Sequence, residues 1–325
     1  MGERAHHEAV VIGGGQAGLA TAFYLRRAGV DYIVVDDQPA PGGAWRHVWP
    51  SMTLFSPSEF SNLPGWPMPH YEGFPPAEHV VSYFTEYEKR YGLPVKRPVR
   101  VTKATRHNNG FYLNTTRGTF TADAVVAATG TWSAPFVPFY PGTFAGRQWH
   151  TATYPGVEPF RSTRVAVVGG ANSGAQIAAE LTDVAEVTWY TRGEPRWMPD
   201  DVDGRVLFHR NRARALAVGR GEPDPGADRA LGDIVVLPHV RRARDEGRLT
   251  ATPMFTSLGE LHADHLIWCT GFRPALAPLR ALIDAPGFFL VGYGDMVGPG
   301  AATITGVGPF ARAAAKGVLK RLASP

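Results

Sequence analysis

Two similar glycine-rich turns, far apart in the chain, constrain its fold more than any other feature. Each follows a short apolar stretch typical of a buried strand, AVVI at residues 9–12 and RVAVVGG from Arg164. Each also opens a segment with helical spacing, and a second apolar strand follows. Strand, turn, helix and strand predict a β-α-β unit with parallel strands. Two such units in 325 residues predict an α/β fold with two Rossmann-like dinucleotide-binding domains.

The first turn carries glycine at the three positions of the dinucleotide-binding pattern: Gly13, Gly15 and Gly18. The first permits the tight turn, the second lets the backbone approach a pyrophosphate, and the third lets helix and strand pack closely. The amides of Gln16 and Ala17 then lie at a helix N-terminus, which favours phosphate. Asp36, at the end of the second strand, can accept both hydroxyls of a ribose.

The second turn carries Gly169, Ala171 and Gly174 at the same positions. Ala171 adds one methyl group where the phosphate approaches most closely, and Asn172 and Ser173 can donate to a phosphate at the helix start. The following strand ends in Thr191 and Arg192 rather than in an acid. A hydroxyl and a guanidinium suit a 2′-phosphate, which predicts NADPH at this site. NADH stays possible because Glu194 lies nearby.

The two units divide the chain. We expect residues 1–158 and 262–325 to form the first domain and residues 159–261 to form the second, inserted into it. The region 199–248 is predicted to hold helices and loops. The remaining predicted elements are a long ordered loop, a helix, a meander of strands and a C-terminal helix, at residues 38–76, 77–91, 99–127 and 310–322.

Composition excludes several classes of protein. No apolar run is long enough to cross a membrane and no signal peptide is recognisable, so a cytoplasmic protein is expected. The formal net charge of +4 does not indicate nucleic-acid binding, because no aromatic residues interleave the arginine groups, which are expected on solvated helix faces. Cys269 is the only cysteine, which excludes an intrachain disulfide, and no cluster has metal-ligand spacing. The arginine groups are Arg210, Arg212, Arg214, Arg241, Arg242 and Arg244.

A fingerprint lies between the two units: Phe144-x-Gly146-x-x-x-His150-x-x-x-Tyr154-Pro155. It resembles the fingerprint of flavin-containing and Baeyer–Villiger monooxygenases, and it has the family's position just before the second unit. Ala128-Thr129-Gly130 and Cys269-Thr270-Gly271 resemble the linkers through which chains of this family cross between domains. The resemblance covers the whole chain and is closest to short bacterial flavin monooxygenases, some from arsenic-resistance operons.

The resemblance implies FAD at the first turn and NADPH at the second. Gly43, Ala44 and Trp45 would lie under the flavin, and Gly294-Asp295 would reach the ribityl chain. The helix after Asp295 would point its N-terminus at the flavin. The other residues assigned to cofactor binding are Val101, Thr129, Gly130 and Thr270.

The family's chemistry would follow. NADPH would reduce FAD, and dioxygen would add to give a C4a-(hydro)peroxyflavin. This species would oxygenate a small soft nucleophile (a sulfide, an amine or a trivalent arsenical) or a ketone. Ser61 and Asn62, in the aromatic loop, are the candidate catalytic side chains near the flavin. His150 is interpreted as an organiser of the linker rather than as a base.

Three alternatives are considered, and of these the uncoupled NADPH oxidase stays open. An NADPH-dependent disulfide reductase shares the architecture but needs a redox cysteine pair, which this chain lacks. An uncoupled NADPH oxidase would release hydrogen peroxide, and pocket shape decides between it and a monooxygenase. A flavin-binding sensor would not need a second nucleotide site. The oligomeric state is not indicated by the sequence.

Overall fold

The computed structural model describes residues 4–223 and 231–324. Its N-terminal part is built on the first β-α-β unit. This unit comprises β1 (Arg4–Ile12), α1 (Gln16–Arg27) and β2 (Tyr32–Val35). Consecutive residues of β1 belong to different cores: Val11 packs towards α1, and Val10 packs on the opposite face of the sheet. The strand is apolar without alternation because both of its faces are covered.

The next elements match the predicted helix and meander. The predicted helix over 77–91 is observed with the same limits, and it ends at Gly92 in a left-handed conformation. The elements are α2 (Ala77–Tyr91), β3 (Val95–Lys96), β4 (Val101–His107), β5 (Gly110–Thr115) and β6 (Gly118–Ala127).

The second unit and the C-terminal segment complete the chain. Some residues of the predicted regions lie outside the described residues. They are 1–3 and 325 of the first predicted domain, and 224–230 of the predicted helix and loop region. The last helix begins three residues before the predicted Phe310. The elements are β7 (Arg147–His150), β8 (Arg164–Val168), α3 (Asn172–Leu181), β9 (Glu186–Thr191), α4 (Gly204–Gly219), α5 (Pro238–Asp245), β10 (Ala251–Pro253), β11 (His265–Trp268), β12 (Phe288–Leu290) and α6 (Val307–Leu322).

The first sheet has the strand order β3-β2-β1-β6-β5-β4. β1 lies parallel to both β2 and β6, whereas β5 is antiparallel to β4 and β6. β6 is long enough to take two partners along one edge, because β5 pairs with its first half and β12 pairs in parallel with its last three residues. The C-terminal segment thus returns to the first sheet, as the predicted insertion requires.

The second sheet is wholly parallel, with the order β10-β9-β8-β11-β7. The predicted limits of the inserted domain, 159–261, leave out β7 and β11, although both strands lie in this sheet. The reason is that β11 pairs with β8 on one side and with β7 on the other. Local sequence patterns do not reveal a pairing of that range.

The long loop over residues 38–76 is ordered, as predicted. Leu54, Leu63 and Met68 are buried within it. The Tyr83 hydroxyl of α2 accepts a hydrogen bond from the Leu63 amide (2.8 Å) and donates one to the Trp66 carbonyl oxygen (2.6 Å). The loop therefore has a core contribution and backbone partners of its own, which explains its order with only two short 3₁₀ helices, Gly43–Arg46 and Ser58–Phe60.

The arginine groups are only partly solvated. Arg241 and Arg244 form ion pairs with Asp200, and Arg242 pairs with Asp183, so α5 is neutralised by its neighbours. Arg214 on α4 is buried, contrary to the expectation of an exposed helix face. Within residues 4–223 and 231–324, no helix is both long enough and apolar enough to cross a membrane.

We predict that Tyr83→Phe lowers the free energy of unfolding by about 1–3 kcal/mol, because the Leu63 amide and the Trp66 carbonyl would lose their partner. Chemical denaturation measures the change. Tyr24→Phe is the matched control, since its hydroxyl makes no hydrogen bond within the described part of the chain. Equal losses in the two variants would contradict this account.

Candidate functional site

The first glycine turn leaves no space for side chains at two of its glycines. Gly13 has a φ of +107°, and a Cβ atom there would overlap the carbonyl oxygen of Ala128. A Cβ atom on Gly18 would overlap the carbonyl oxygen of Gly13. α1 begins at Gln16, and no side chain caps its first turn, so its free amides are open to a phosphate. The turn fits the pyrophosphate of a dinucleotide.

Asp36 lies at the end of β2, as predicted, and its side chain is almost fully buried. Its Oδ2 accepts a hydrogen bond from Arg97 Nε (2.6 Å), and Arg97 donates two more to Glu88. Burial alone would lower the pKa of Arg97, but the hydrogen bonds to Glu88 and Asp36 more than offset this and raise it. Arg97 and Glu88 carry no signal in the sequence, because neither lies in the motif.

The segment expected under the flavin contacts the first turn directly. Gly43 faces Gly15, and a Cβ atom on Gly43 would lie only 2.8 Å from Gly15 Cα, so the two backbones approach closely. The Gln16 side chain accepts a hydrogen bond from Trp45 Nε1 (3.3 Å) and donates one to the carbonyl oxygen of Ala302 (2.6 Å). Gln16 therefore ties α1 to the segment that contains Ala44 and to the segment that precedes α6.

Val101 and Asp295 lie at the edges of this region. Val101 begins β4 and is buried in the core of the first sheet. Asp295 is exposed, in a short 3₁₀ turn over Gly294–Met296. A Cβ atom on nearby Gly292 would lie 2.7 Å from Ala17 Cβ, so this segment passes close to α1. The contacts of Val101 and Asp295 with FAD remain predictions.

The second glycine turn repeats the geometry of the first. Gly169 has a φ of +143°, and a Cβ atom there would overlap the carbonyl oxygen of Cys269. A Cβ atom on Gly174 would overlap the carbonyl oxygen of Gly169, and that oxygen also accepts a hydrogen bond from Trp189 Nε1 (2.8 Å). Ala171 precedes α3 with an exposed side chain and no capping bond. This turn also fits a pyrophosphate.

The side chains around the second turn differ in which hydrogen-bonding groups they leave available to a ligand. Asn172 Oδ1 accepts a hydrogen bond from the Val235 amide (2.8 Å), which leaves its NH₂ group as the donor. Ser173 is half-buried beside it. The buried Thr191 hydroxyl donates to the Gly193 carbonyl oxygen (2.7 Å), so only its lone pairs remain for a ligand. Arg192 is exposed at the end of β9.

The two linkers cross side by side in opposite directions. The Phe136 amide donates to the Gly271 carbonyl oxygen (2.9 Å), and the Ala275 amide donates to that of Gly130 (2.9 Å). Their threonines add side-chain bonds, because Thr129 donates to the Ala275 carbonyl oxygen (2.9 Å). Thr270 does the same to the carbonyl oxygen of Phe136. The predicted cofactor-binding residues of the linkers thus lie together, with their hydroxyls used by the protein.

His150 contacts this crossing through Nε2, and its Nδ1 caps the turn that follows it. Its Nδ1 accepts a hydrogen bond from the Ala152 amide (3.0 Å), and its Nε2 lies 3.1 Å from the Gly271 carbonyl oxygen. An Nδ1 that accepts fixes the neutral tautomer with the proton on Nε2, which donates to Gly271. Burial lowers the pKa of His150, and bonds to backbone oxygens offset this only in part. The geometry is that of an organiser and leaves no nitrogen for catalysis.

The two candidate catalytic side chains are engaged within their own loop. Ser61 is buried, and its hydroxyl contacts Ser56 and the carbonyl oxygen of Pro57. Asn62 donates to the Glu59 carbonyl oxygen (2.7 Å) and accepts from the Met68 amide (2.8 Å). Both side chains stabilise the loop, and their catalytic role stays a prediction.

Helix α4 of the second unit packs on this same loop. Phe60 and Phe208 lie edge to face, with ring centroids 5.7 Å apart. A Cβ atom on Gly204 would meet Ser56 and the Phe55 backbone, and the Gly204 amide donates to the Phe55 carbonyl oxygen (2.7 Å). The aromatic loop is therefore covered from the side of the second unit, a contact that the sequence analysis missed.

The single cysteine is inert. Cys269 is buried at the end of β11, and burial raises the pKa of its thiol to about 12. A thiolate is the reactive form of cysteine, so this residue offers no nucleophile at neutral pH. The interpretation of Cys269 as a small buried hydrophobe is confirmed.

Comparison with known proteins gives four informative similarities. The profile of the pyridine nucleotide-disulphide oxidoreductase family matches residues 10–207. The flavin-containing monooxygenase from Stenotrophomonas maltophilia superposes with a TM-score of 0.87 at 40% identity, over 98% of this chain and 100% of that chain. An uncharacterized CzcO-like oxidoreductase from Geobacillus kaustophilus is 26% identical over 93% of this chain and 95% of that protein. A Baeyer–Villiger monooxygenase from Streptomyces coelicolor is 33% identical over 62% of this chain and 40% of that protein.

We predict that His150 makes stability fall as the pH drops below about 6.5, its ordinary pKa. Its folded pKa is lowered, so the unfolded chain takes up the proton first and the stabilisation by neutral His150 declines in that window. His150→Gln keeps one acceptor and one donor but does not titrate. The wild type should therefore lose more stability than the variant between about pH 7.5 and 5.5.

Denaturation midpoints of both proteins at the two pH values measure this difference. Burial also lowers the pKa of His239 and of His265, but these residues are present in both proteins and cancel in the comparison. The same loss of stability in wild type and variant would refute a titrating His150.

Proposed function

The chain belongs to the pyridine nucleotide-disulphide oxidoreductase family and to the class B flavin-dependent monooxygenases, the group of the flavin-containing and Baeyer–Villiger enzymes, and we propose that it is an FAD-dependent, NADPH-consuming monooxygenase. The observation that carries the proposal is the pair of open glycine turns, joined by crossing linkers that His150 holds together. A flavin and a nicotinamide nucleotide are the two dinucleotides that such an oxidoreductase needs. The division into a domain of residues 1–158 and 262–325 and an inserted domain of residues 159–261 is part of the proposal, with β7 and β11 of the first domain pairing in the sheet of the second.

FAD is assigned to the first turn for two reasons. Asp36 ends β2 beside the turn and offers a carboxylate oxygen to a ribose. Trp45 and Gln16 bring the 43–46 segment against the start of α1, which is where the family resemblance places it under the flavin. When bound, FAD supplies the hydride acceptor and the oxygen-activating centre, with the C4a-(hydro)peroxyflavin as the proposed oxygenating species.

NADPH is assigned to the second turn. Arg192 is exposed at the end of β9, next to the turn, where it is available to a 2′-phosphate. Gly170 lies against Thr191, so the end of β9 and the phosphate-binding backbone belong to one surface. The exposed Glu194 keeps NADH as a second possible coenzyme.

The chain's own residues hold the site together and limit the access of water. Gln16 fixes the floor of the first site, and α4 covers the aromatic loop through Phe60 and Phe208. Excluding water matters for this chemistry, because an oxygenated flavin that meets water releases hydrogen peroxide. The proposed substrate is a small soft nucleophile (a sulfide, an amine or a trivalent arsenical) or a ketone. The similarity to a Baeyer–Villiger monooxygenase supports the ketone.

Two other functions are weighed against this one. A disulfide reductase is disfavoured, because Cys269 is the only cysteine in the chain and is buried with a raised pKa. An uncoupled NADPH oxidase uses the same cofactors and differs only in the fate of the oxygen, so it stands as the alternative.

We expect the reduced enzyme to form a long-lived oxygenated flavin. The protein is reduced anaerobically with NADPH, oxygen is admitted, and the flavin spectrum and hydrogen peroxide are followed with and without a sulfide or a ketone. An intermediate spectrum that decays faster with substrate, with little peroxide, supports a monooxygenase. Immediate reoxidation with one peroxide per NADPH under all conditions would instead identify an oxidase.

We predict that Arg192→Ala raises the KM for NADPH by about tenfold or more and changes the KM for NADH little, because only NADPH carries the 2′-phosphate. Steady-state kinetics with both coenzymes measure this. Arg196→Ala is the control, since Arg196 is a nearby exposed arginine that pairs with Asp233. A parallel loss with both coenzymes would remove Arg192 from 2′-phosphate recognition.

A further inference from the structure

We propose that Arg97 and Glu88 position Asp36 for the adenosine ribose of FAD, and that these three residues select an adenosine whose 2′- and 3′-hydroxyls are unsubstituted. This inference rests on the proposed FAD site. It assigns a role to two charged residues that lie outside the glycine motif. Neither would be needed if Asp36 acted alone.

The three side chains form one chain of hydrogen bonds. Arg97 Nε lies 2.6 Å from Asp36 Oδ2, and the two terminal nitrogens of Arg97 lie 2.7 and 2.5 Å from the two carboxylate oxygens of Glu88. The side chains are 5% exposed for Asp36, 10% for Arg97 and 11% for Glu88. A bidentate guanidinium–carboxylate pair of this kind fixes the plane and direction of the arginine.

The trio packs directly against the glycine turn. A Cβ atom on Gly14 would lie 2.6 Å from Arg97 Nη2 and 2.7 Å from Asp36 Oδ2. The backbone of Asp36 is held by two hydrogen bonds. Its amide donates to the Lys96 carbonyl oxygen (3.1 Å), and its carbonyl oxygen accepts from the Val99 amide (2.7 Å). Arg97 and Asp36 therefore lie together on the side of the glycine turn at Gly14.

The bond to Arg97 leaves one side of Asp36 for the ligand. Within the described residues, Asp36 Oδ2 is bound by Arg97, and Oδ1 has no hydrogen-bond partner. A ribose hydroxyl is the donor that would suit an oriented carboxylate oxygen at the end of the second strand. Arg97 thereby fixes which oxygen faces the adenosine.

Charge gives the site its selectivity. Two carboxylates share one guanidinium, so the trio carries a net charge of about −1 beside the ribose. A neutral diol is compatible with that charge, whereas a 2′-phosphate would add further negative charge at close range. Without Arg97, two nearly buried carboxylates would face each other without a counter-charge, which is strongly unfavourable.

The test is the affinity of the flavin-free protein for two flavins, measured by the change in flavin fluorescence. FAD carries the adenosine, and FMN has the same flavin without it. We expect Arg97→Met to weaken FAD binding by about tenfold or more and to leave FMN binding within about twofold of wild type. Adding Glu88→Gln to Arg97→Met removes the like charge and should recover about threefold or more of the FAD affinity.

Arg100→Met is the matched control, because it breaks an exposed ion pair with Asp37 a few residues away and should change neither affinity. Wild-type affinity for FAD in Arg97→Met would overturn the inference. Equal weakening of both flavins, or a double variant no better than the single one, would also overturn it by reducing Arg97 to a packing role.

The experiment also separates this inference from the proposed function. A wild-type protein that binds no FAD removes the FAD site, and this inference with it. A wild type that binds FAD while the variants bind it equally well overturns only the role of Arg97. If Arg97→Met does not fold, Glu88→Gln alone replaces it. FAD affinity about threefold weaker at an unchanged melting temperature then supports the proposal, and unchanged affinity overturns it.

Discussion

Both proposed nucleotide sites depend on the close approach of a helix to the glycine turn that precedes it. At Gly18 and Gly174, even one Cβ atom would overlap a carbonyl oxygen of the turn. This contact brings the free amides of each helix to the end of its strand, where a phosphate can bind. It also sets the distance to the end of the neighbouring strand, at Asp36 in one unit and at Thr191 in the other.

Much of the fold could be predicted from the sequence, because its elements have local causes. The helix over 77–91 combines an apolar face with a glycine that ends it, so both its existence and its limits follow from neighbouring residues. The two β-α-β units and the meander are likewise local patterns. The positions of β7 and β11 are not local, because they depend on strand pairs between residues a hundred or more positions apart in the chain.

The candidate site was predictable where backbone geometry decides and not where a distant partner decides. The glycine positions follow from steric requirements that the motif itself states. Arg97 and Glu88 carry no local signal, because their importance lies in meeting Asp36 in space. Ser61 and Asn62 show the reverse case. They have suitable chemistry in a suitable loop, but their side chains are already bonded to the loop backbone.

The crossing of the two linkers has a mechanical consequence. A single covalent connection between two units allows rotation about its backbone bonds, whereas two antiparallel segments joined by backbone hydrogen bonds resist twisting. If the paired segments bend together, the hydrogen bonds between Phe136 and Gly271 and between Ala275 and Gly130 can be kept. If the segments twist against each other, these hydrogen bonds break. His150 bonds to the Gly271 carbonyl oxygen of the same pair of segments. Any rotation that separated or twisted the two linkers would therefore cost these hydrogen bonds as well as the contacts of α4 with the aromatic loop.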